Sequence, residues 1–317
     1  MEKAFKTDSH QPAIRWLMVL LTLVFAQVVF ARPLIVLSEE TPSYQSVLAR
    51  IKNQHTDATP VSARQVNQTP NILLEEDWDY YVAVGTRATD LLLSRLPDAS
   101  AAVLSTFIPR RSYQNLLDKH HNCPTVIRNN ITAIFLDQPY RRQLQLARLI
   151  QPNAKILSVA FSTTSANDLS LLKEASQSTN FTLKHVILDE NESPIKQLQP
   201  LIKNSDIFLT LPDQAVFNRT TAKWILYISF RQRTPLIGFS KKYVTAGAAA
   251  GVYSSADQIG LQTAEFMMHL GQLSRPLLSP AYPRYFSVVT NPSAARSLRL
   301  DLPLPEKLEQ ALKEAEQ

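Results

Sequence analysis

The sequence predicts an α/β protein in which short parallel strands alternate with helices and fall into two sets. Three observations carry that prediction. Apolar runs recur at Pro33–Leu37, Tyr80–Val84, Ala102–Phe107, Ile131–Leu136, Lys155–Phe161, Leu183–Leu188, Ile207–Leu211 and Leu236–Phe239. Most are near-continuous in Val, Ile, Leu and Phe rather than alternating, the pattern of strands buried on both faces of a parallel sheet. Amphipathic helical patterns lie between them, and strands alternating with helices imply βαβ units. Finally, the proline-containing break Asp137-Gln-Pro-Tyr140 leaves four runs before it and four after it. These strands would fit one sheet or two. The break favours two doubly wound lobes, with the C-terminal ends of both strand sets at one cleft, where open α/β sheets bind ligands.

Taken in chain order, residues 1–15 are polar and include Lys3, Lys6 and Arg15, and Trp16–Phe30 is uncharged and almost entirely apolar. Val29-Phe-Ala31 places slim residues before Arg32, and Val24-Phe-Ala26 offers a second cleavage site, before Gln27. This is the three-part design of a secretory signal, and the run is shorter than the ~20 residues of a membrane span. Residues 1–31 are therefore expected to be a cleaved signal peptide and the mature chain to be periplasmic. It is expected not to be lipidated, because no Cys lies near the cut.

Thr41-Pro42 reads as an N-cap and first helical residue, leading into Tyr44, Val47, Leu48 and Ile51 at helical spacing. Ile195, Leu198, Leu201 and Ile202 mark another amphipathic helix. Ser255-Ala-Asp-Gln258 is a capping box opening a helix with the inner stripe Ile259, Phe266, Met267 and Leu270. Pro276, Pro280, Pro283, Pro292, Pro303 and Pro305 make the end loop-rich until a last helix, Pro305–Ala315.

Apolar residues make up 45% of the chain, enough for a large core. That core must carry stability, since Cys123 is the only cysteine and closes no intramolecular disulfide. The formal charge of +6 falls to +5 without residues 1–31, where Lys3, Lys6 and Arg15 face Glu2 and Asp8. No Lys/Arg block is present, which argues against nucleic acid, whose footprint is a clustered basic face. Of six glycines, four lie within Gly238–Gly260, between and beside the apolar runs Pro235–Phe239 and Ala248–Tyr253. Their spacing matches no phosphate-binding pattern. Gly238 to Gly251 is read as chain passing from one lobe back to the other, beside the cleft.

Several segments resemble one exported family. Pro235-Leu-Ile-Gly-Phe-Ser240, Tyr243-Val-Thr-Ala-Gly-Ala-Ala-Ala-Gly-Val-Tyr-Ser254 and Gln258-Ile-Gly260 are similar to the ABC-transporter substrate-binding proteins of the type I periplasmic-binding fold. Val288-Val-Thr-Asn291, Ala294-Ala295 and Leu302-Pro-Leu-Pro-Glu-Lys-Leu308 resemble that family's closing strand and helix. Ile131–Leu149 resembles its first crossing between lobes, and Ala83-Val-Gly-Thr86 and Leu211-Pro-Asp213 its strand ends. The resemblance implies two Rossmann-like lobes joined by crossing hinge segments, trapping a small ligand by closure. The expected division is residues 32–137 plus about 245–281 in lobe 1, 138–244 plus about 282–290 in lobe 2, and a C-terminal loop and helix over 291–317.

Candidate ligand-binding residues sit at strand ends. Gly85 and Thr86 offer a backbone N–H and a hydroxyl for a carboxylate or carbonyl, or else a turn and a helix cap. Thr106 and Phe107 end the next strand, where a ring stacks on a ligand or packs. Ser162 and Thr163 supply hydroxyls, which also cap helices. Asp213 suits an ammonium group or an N-cap. Ser38 and Glu39 end the first strand, where an acidic side chain accepts a cation. Ser240 and Tyr243 lie at the proposed crossing.

Enzyme readings fare worse. The chain has no Gly-x-Ser-x-Gly elbow, no Walker motif and no Gly-x-Gly-x-x-Gly. The only metal-like cluster, His120-His121-Asn-Cys123, is read as an exposed loop, because adjacent histidines point apart and zinc ligands are more widely spaced. The expectation is a monomeric binding protein, not an enzyme, with no metal or cofactor. It would capture a small polar organic ligand, amino-acid-like or related, and present it to an ABC-type permease or other inner-membrane partner. The alternative is a periplasmic sensor or interaction module of the same fold.

Overall fold

The computed structural model describes residues 32–74, 78–96, 102–270 and 277–316. The expected signal peptide lies outside the described residues.

The chain opens with β1 (Pro33–Leu37) and α1 (Pro42–Lys52), then β2 (Thr59–Ser62), α2 (Ala63–Gln68) and a single 3-10 turn. There follow β3 (Tyr80–Val84), α3 (Thr86–Arg95), β4 (Ala102–Ile108), α4 (Arg110–Lys119), the short α5 (Pro124–Ile127) and β5 (Ile131–Phe135). These five strands form one all-parallel sheet in the order β2-β1-β3-β4-β5. Every residue of β1, β3 and β5 is buried, as expected of strands covered on both faces. β2 was not expected from the sequence. Its Thr59-Pro-Val-Ser has one strongly apolar residue and sits at the sheet edge, where a proline is tolerated.

The second lobe begins with α6 (Tyr140–Ile150) and continues through β6 (Ile156–Phe161), α7 (Asp168–Gln177), β7 (Thr182–Ile187), α8 (Pro194–Lys203), β8 (Ile207–Leu209), α9 (Arg219–Gln232), β9 (Leu236–Gly238), α10 (Lys241–Ala246) and β10 (Ala250–Tyr253). Then come α11 (Ala256–Leu270), β11 (Ser287–Thr290), α12 (Pro292–Leu298) and α13 (Pro305–Glu314). The second sheet has the order β11-β10-β9-β8-β6-β7, with β11 antiparallel to β10 and the other pairs parallel. Its core runs from Leu157, Val159 and Phe161 through Phe208 and Leu209 to Ile225 and Ile237. A separate core under the first sheet contains Leu34, Val36, Ala83, Leu92, Val103 and Ala133.

The glycine-rich stretch belongs to the second sheet rather than to the return. Where the sequence reading begins the first lobe's second portion at about 245, β10 pairs with β9, with Ala250 opposite Ile237 and Gly251 opposite Gly238. The two strands approach so closely that a Cβ on Gly251 would lie 2.5 Å from the Gly238 carbonyl oxygen and 2.8 Å from Val244 Cγ2. The chain leaves this sheet only at Ser254. Ser255 then caps α11, with its Oγ accepting from the Gln258 N–H. α11 packs on α1 and β4 in the first lobe. The short α12, capped by Asn291, stands where the proline count suggested only loop.

Three segments therefore cross between lobes: Leu136–Pro139, Ser254–Ser255 and Tyr282–Phe286. A buried polar network ties them together. Gln138 Nε2 donates to Ser254 Oγ (2.8 Å), which donates to the Tyr285 carbonyl (2.6 Å). The buried Arg142 guanidinium donates to Gln138 Oε1 (2.7 Å) and to the Pro283 carbonyl (2.9 Å), and it lies over the Phe286 ring. It also forms a two-pronged ion pair with Glu316, at 2.6 and 2.7 Å. That pair fastens the end of the chain beyond α13 to the crossings, with four of the five guanidinium N–H donors matched to acceptors.

Candidate functional site

A cavity of about 270 Å³ lies between the two lobes, beside the crossings. The first lobe contributes Pro109, Arg110 and Arg111, at the point where β4 gives way to α4. The second contributes Asp168 at the start of α7, Pro212, Phe239, Ser240 and Lys241. The crossings supply Asp137, Gln138, Ser254 and Tyr282, the end of β10 supplies Tyr253, and α6 supplies Tyr140 and Gln143. The walls are thus aromatic, with a few convergent polar groups, as small-molecule sites usually are.

Charge is arranged across the gap. The guanidinium of Arg110 donates to one oxygen of Asp168, and Arg111 donates to the other at 2.8 Å. Tyr140 Oη donates to the same carboxylate at 2.8 Å. Two cations of one lobe therefore grip one anion of the other. Burial by itself would raise the Asp168 pKa. Hydrogen bonds from Arg111 and Tyr140 and the charges of both arginines outweigh it and hold Asp168 below the usual carboxylate range. Burial pushes Tyr140 up, reinforced by the negative charge of Asp168. Asp137 accepts the Arg110 backbone N–H, yet burial raises its pKa.

Two buried polar atoms of residues lining the cavity, one from each lobe, have no partner: Gln143 Oε1 and Arg111 Nε. The Gln143 amide nitrogen is spent on the Gln138 carbonyl at 2.9 Å, so its oxygen is a fixed acceptor without a donor. Buried polar atoms are normally satisfied, and here one acceptor and one donor are left unspent.

Of the residues singled out from sequence, Ser240 lines this cavity. It also caps α10, accepting from the Tyr243 N–H at 3.2 Å. Ser38, Gly85, Thr86 and Phe107 come together farther along the first lobe, at the ends of β1, β3 and β4. Ser38 Oγ is committed to the Ala88 N–H at 2.8 Å. Gly85 holds φ at 91°, and a Cβ there would meet Ser38 Oγ and Tyr44 within 2.7 Å. Thr86 is half-buried at the first turn of α3. Phe107 occupies a bulge in β4 with φ 53°, a left-handed conformation that few non-glycine residues adopt. Its ring meets Tyr44 edge-on at 5.3 Å. Burial, then the nearby charge of Glu39, raises the Tyr44 pKa, while Glu39 itself is exposed.

Other candidates are turned to internal bonds. Thr106 is fully buried, with its hydroxyl 2.6 Å from that of Thr263 in α11. Ser162 donates through both its N–H and its Oγ to Asp213, the latter at 2.7 Å. Asp213 also accepts from the Ala215 N–H. Burial opposes its charge, but hydrogen bonds from Ser165, Ser162 and Ala215 outweigh burial and lower its pKa. Arg111 stands 4.0 Å away across the gap. Thr163 is exposed and bonds Glu190 at 3.0 Å.

Tyr243 packs among Phe217 and Phe239 and is 7% exposed, with its hydroxyl buried and unpartnered away from the cavity. Removing an unsatisfied buried hydroxyl relieves its desolvation cost. Tyr243→Phe is therefore expected to raise stability by about 1 kcal/mol, read from the urea midpoint. A lower midpoint would show that the hydroxyl has a partner in solution.

Sequence reasoning missed Arg110, Arg111, Asp168, Tyr140, Gln143, Tyr253 and Tyr282. One local signal was present: Phe107-Ile-Pro-Arg-Arg111 sets two cations directly after a strand end, at the switch-point edge of a parallel sheet. His120, from the metal-like cluster, ends α4 and lies 2.6 Å from Asp90. Among the described residues no group of three or more His, Cys, Asp or Glu side chains is placed to hold a metal.

The same fold recurs in solved structures. A conserved domain protein from Vibrio cholerae is 18% identical, with a TM-score of 0.55 over 89% of this chain and 98% of its own. A Streptococcus protein described as an ABC domain in complex with L-Trp is 14% identical, with a TM-score of 0.56 over 89% and 98%. The ligand-free, open form of a Clostridium difficile substrate-binding protein with adhesive properties is 13% identical, with a TM-score of 0.66 over 87% and 97%. No curated protein matches the chain. The family description "ABC transporter substrate binding protein" matches residues 46–315, from the first helix of one lobe to the last helix of the other. With all of the first lobe after the start of α1, the second lobe, all three crossings and the cavity inside that match, the chain belongs to the ABC transporter substrate-binding protein family.

Proposed function

We propose that this chain is an exported solute-binding protein that captures a small amino-acid-like ligand in the interlobe cavity and presents it to an ABC-type permease. One observation carries this reading. Arg110 and Arg111 on one wall face Asp168 and Asp213 on the other, and Arg111 Nε and Gln143 Oε1 are buried without partners. A zwitterion suits that wall, with its carboxylate towards Arg111 and its ammonium towards Gln143 and the acidic side. The volume of about 270 Å³ sits at the small end of ligand cavities. The aromatic faces of Tyr140, Tyr253 and Tyr282 leave room for an apolar side chain. The L-Trp held by the Streptococcus relative supports the same ligand class. The apolar run Trp16–Phe30 supports export to the periplasm.

Because the two walls come from different lobes, a ligand contacting both favours the arrangement that brings them together. That change of shape is what a permease would read. A thermal-shift screen of amino acids, their decarboxylated amines and their deaminated acids tests the proposal. A ligand at a hundredfold excess over its Kd stabilises by about 2.7 kcal/mol. Stabilisation by an amino acid but by neither half-ligand is the expected result, and Arg111→Ala should abolish it. No shift with any amino acid, or an undiminished shift in Arg111→Ala, overturns the reading.

A further inference from the structure

The segment of the second lobe from α8 to β10 carries a one-sided charge, and the exposed acids Asp189, Glu190 and Glu192 lie just before it. Between Glu192 and Asp257 the sequence has Lys196, Lys203, Arg219, Lys223, Arg231, Arg233, Lys241 and Lys242 against Asp206 and Asp213 alone. Both acids are used inside the lobe: Asp206 accepts the N–H groups of Lys155 and Ile156, and Asp213 is buried on Ser162. No exposed acid offsets the cations within this stretch. The first six of those cations lie on or just beyond α8 and α9, two helices packed side by side. Among the described residues none of the six forms an ion pair.

On α9, positions 223, 227, 230 and 231 share one face by helical spacing. Tyr227 is 54% exposed and Phe230 is 56% exposed on that face, flanked by Lys223 and Arg231. Arg231 donates to the Tyr227 hydroxyl at 3.1 Å and lies over its ring. Two large rings in water beside cations are not what a solvated helix face needs.

We infer that the α8–α9 face docks on an anionic phospholipid surface. The chemistry is that of an interfacial helix, with aromatic rings at headgroup level and long cationic side chains reaching phosphates. The layout favours a bilayer over an acidic protein. The cations do not converge on one pocket but spread along α9, whose 14 residues extend about 21 Å. A laterally continuous layer of charge meets such an array at every point. Docking of this kind would hold the protein on the membrane in which a permease sits, whichever ligand occupies the cavity.

Co-sedimentation of the full chain with phosphatidylcholine vesicles, alone or with about one-third phosphatidylglycerol, tests this. The leader carries Lys3, Lys6 and Arg15, so the readout is the difference between the two lipids compared between the parent and variants that share that leader. The expected result is binding to the anionic vesicles that weakens with added salt. Lys223→Gln and Arg231→Gln should each lower it about fivefold, and Tyr227→Ser with Phe230→Ser should lower it at every salt concentration. All these side chains are exposed, and unchanged melting of the variants confirms their folding. Equal partitioning onto both lipids, or variants that bind like the parent, overturns the inference. Capture by soluble polyglutamate without capture by vesicles also overturns it and assigns the face to an acidic protein partner.

Discussion

Asp168→Ala is expected to open the cleft. The substitution removes the one carboxylate that Arg110 and Arg111 share across the gap and leaves two neighbouring guanidinium groups without that counter-charge. Breaking a buried pair on one side typically costs about 3 kcal/mol or more, roughly a hundredfold in an equilibrium. Asp168 sits on the second lobe and its partners on the first, so much of that cost falls on the arrangement in which the lobes meet. Small-angle scattering should show a larger radius of gyration than the parent, with little change in the far-ultraviolet spectrum. Asp168→Asn keeps the shape and an acceptor for Tyr140 but not the charge, and it should fall between the two. Scattering curves that superpose for all three proteins would mean that the pair does not govern lobe separation.

Gly251→Ala is expected to be the most damaging single methyl in the second lobe. The new carbon would stand 2.5 Å from a backbone oxygen of β9, which cannot rotate away, and 2.8 Å from Val244 Cγ2. Overpacking of this kind costs about 2–3 kcal/mol, enough to lower the melting temperature by about 5 °C or more. Adding Val244→Ala removes one of the two collisions and should recover only part of the loss, because the Gly238 carbonyl remains. Full recovery in the double variant would locate the strain in the side chain and not in the strand pairing.

Much of the architecture was legible because it depends on local apolar pattern. All eight apolar runs became strands, within one or two residues; most are buried on both faces and so are written as continuous runs, while β7, at the sheet edge, is largely exposed. β2 escaped because an edge strand needs little apolar content. β10 is a glycine and alanine strand that looked like connecting chain, and its assignment to the second sheet depends on how closely it approaches β9. The cavity was the least legible part. Its residues lie at 109–111, 136–143, 168, 212, 239–241, 252–254 and 282, and nothing local marks them as neighbours. Ser162 and Asp213 were rightly seen as polar strand-end residues, yet they bond each other. Propensity reads one segment at a time and cannot tell a side chain reserved for a ligand from one satisfied within its own lobe.

The path of the chain also fixes when the protein can fold. The first lobe is covered by α11, where the Ala264 carbonyl lies 2.9 Å from His55 Nε2 across a separation of 209 residues. Its sheet is edged at Ile134 by a bridge from Ala281. The second lobe in turn waits for β11 and α13. Neither half is complete until nearly the whole chain has been synthesised, and contacts so distant in sequence form slowly. A polypeptide bound for export gains from that delay. Under the export proposed above, the chain would remain threadable through a translocation pore while it is being made and would acquire its two cores only on the far side.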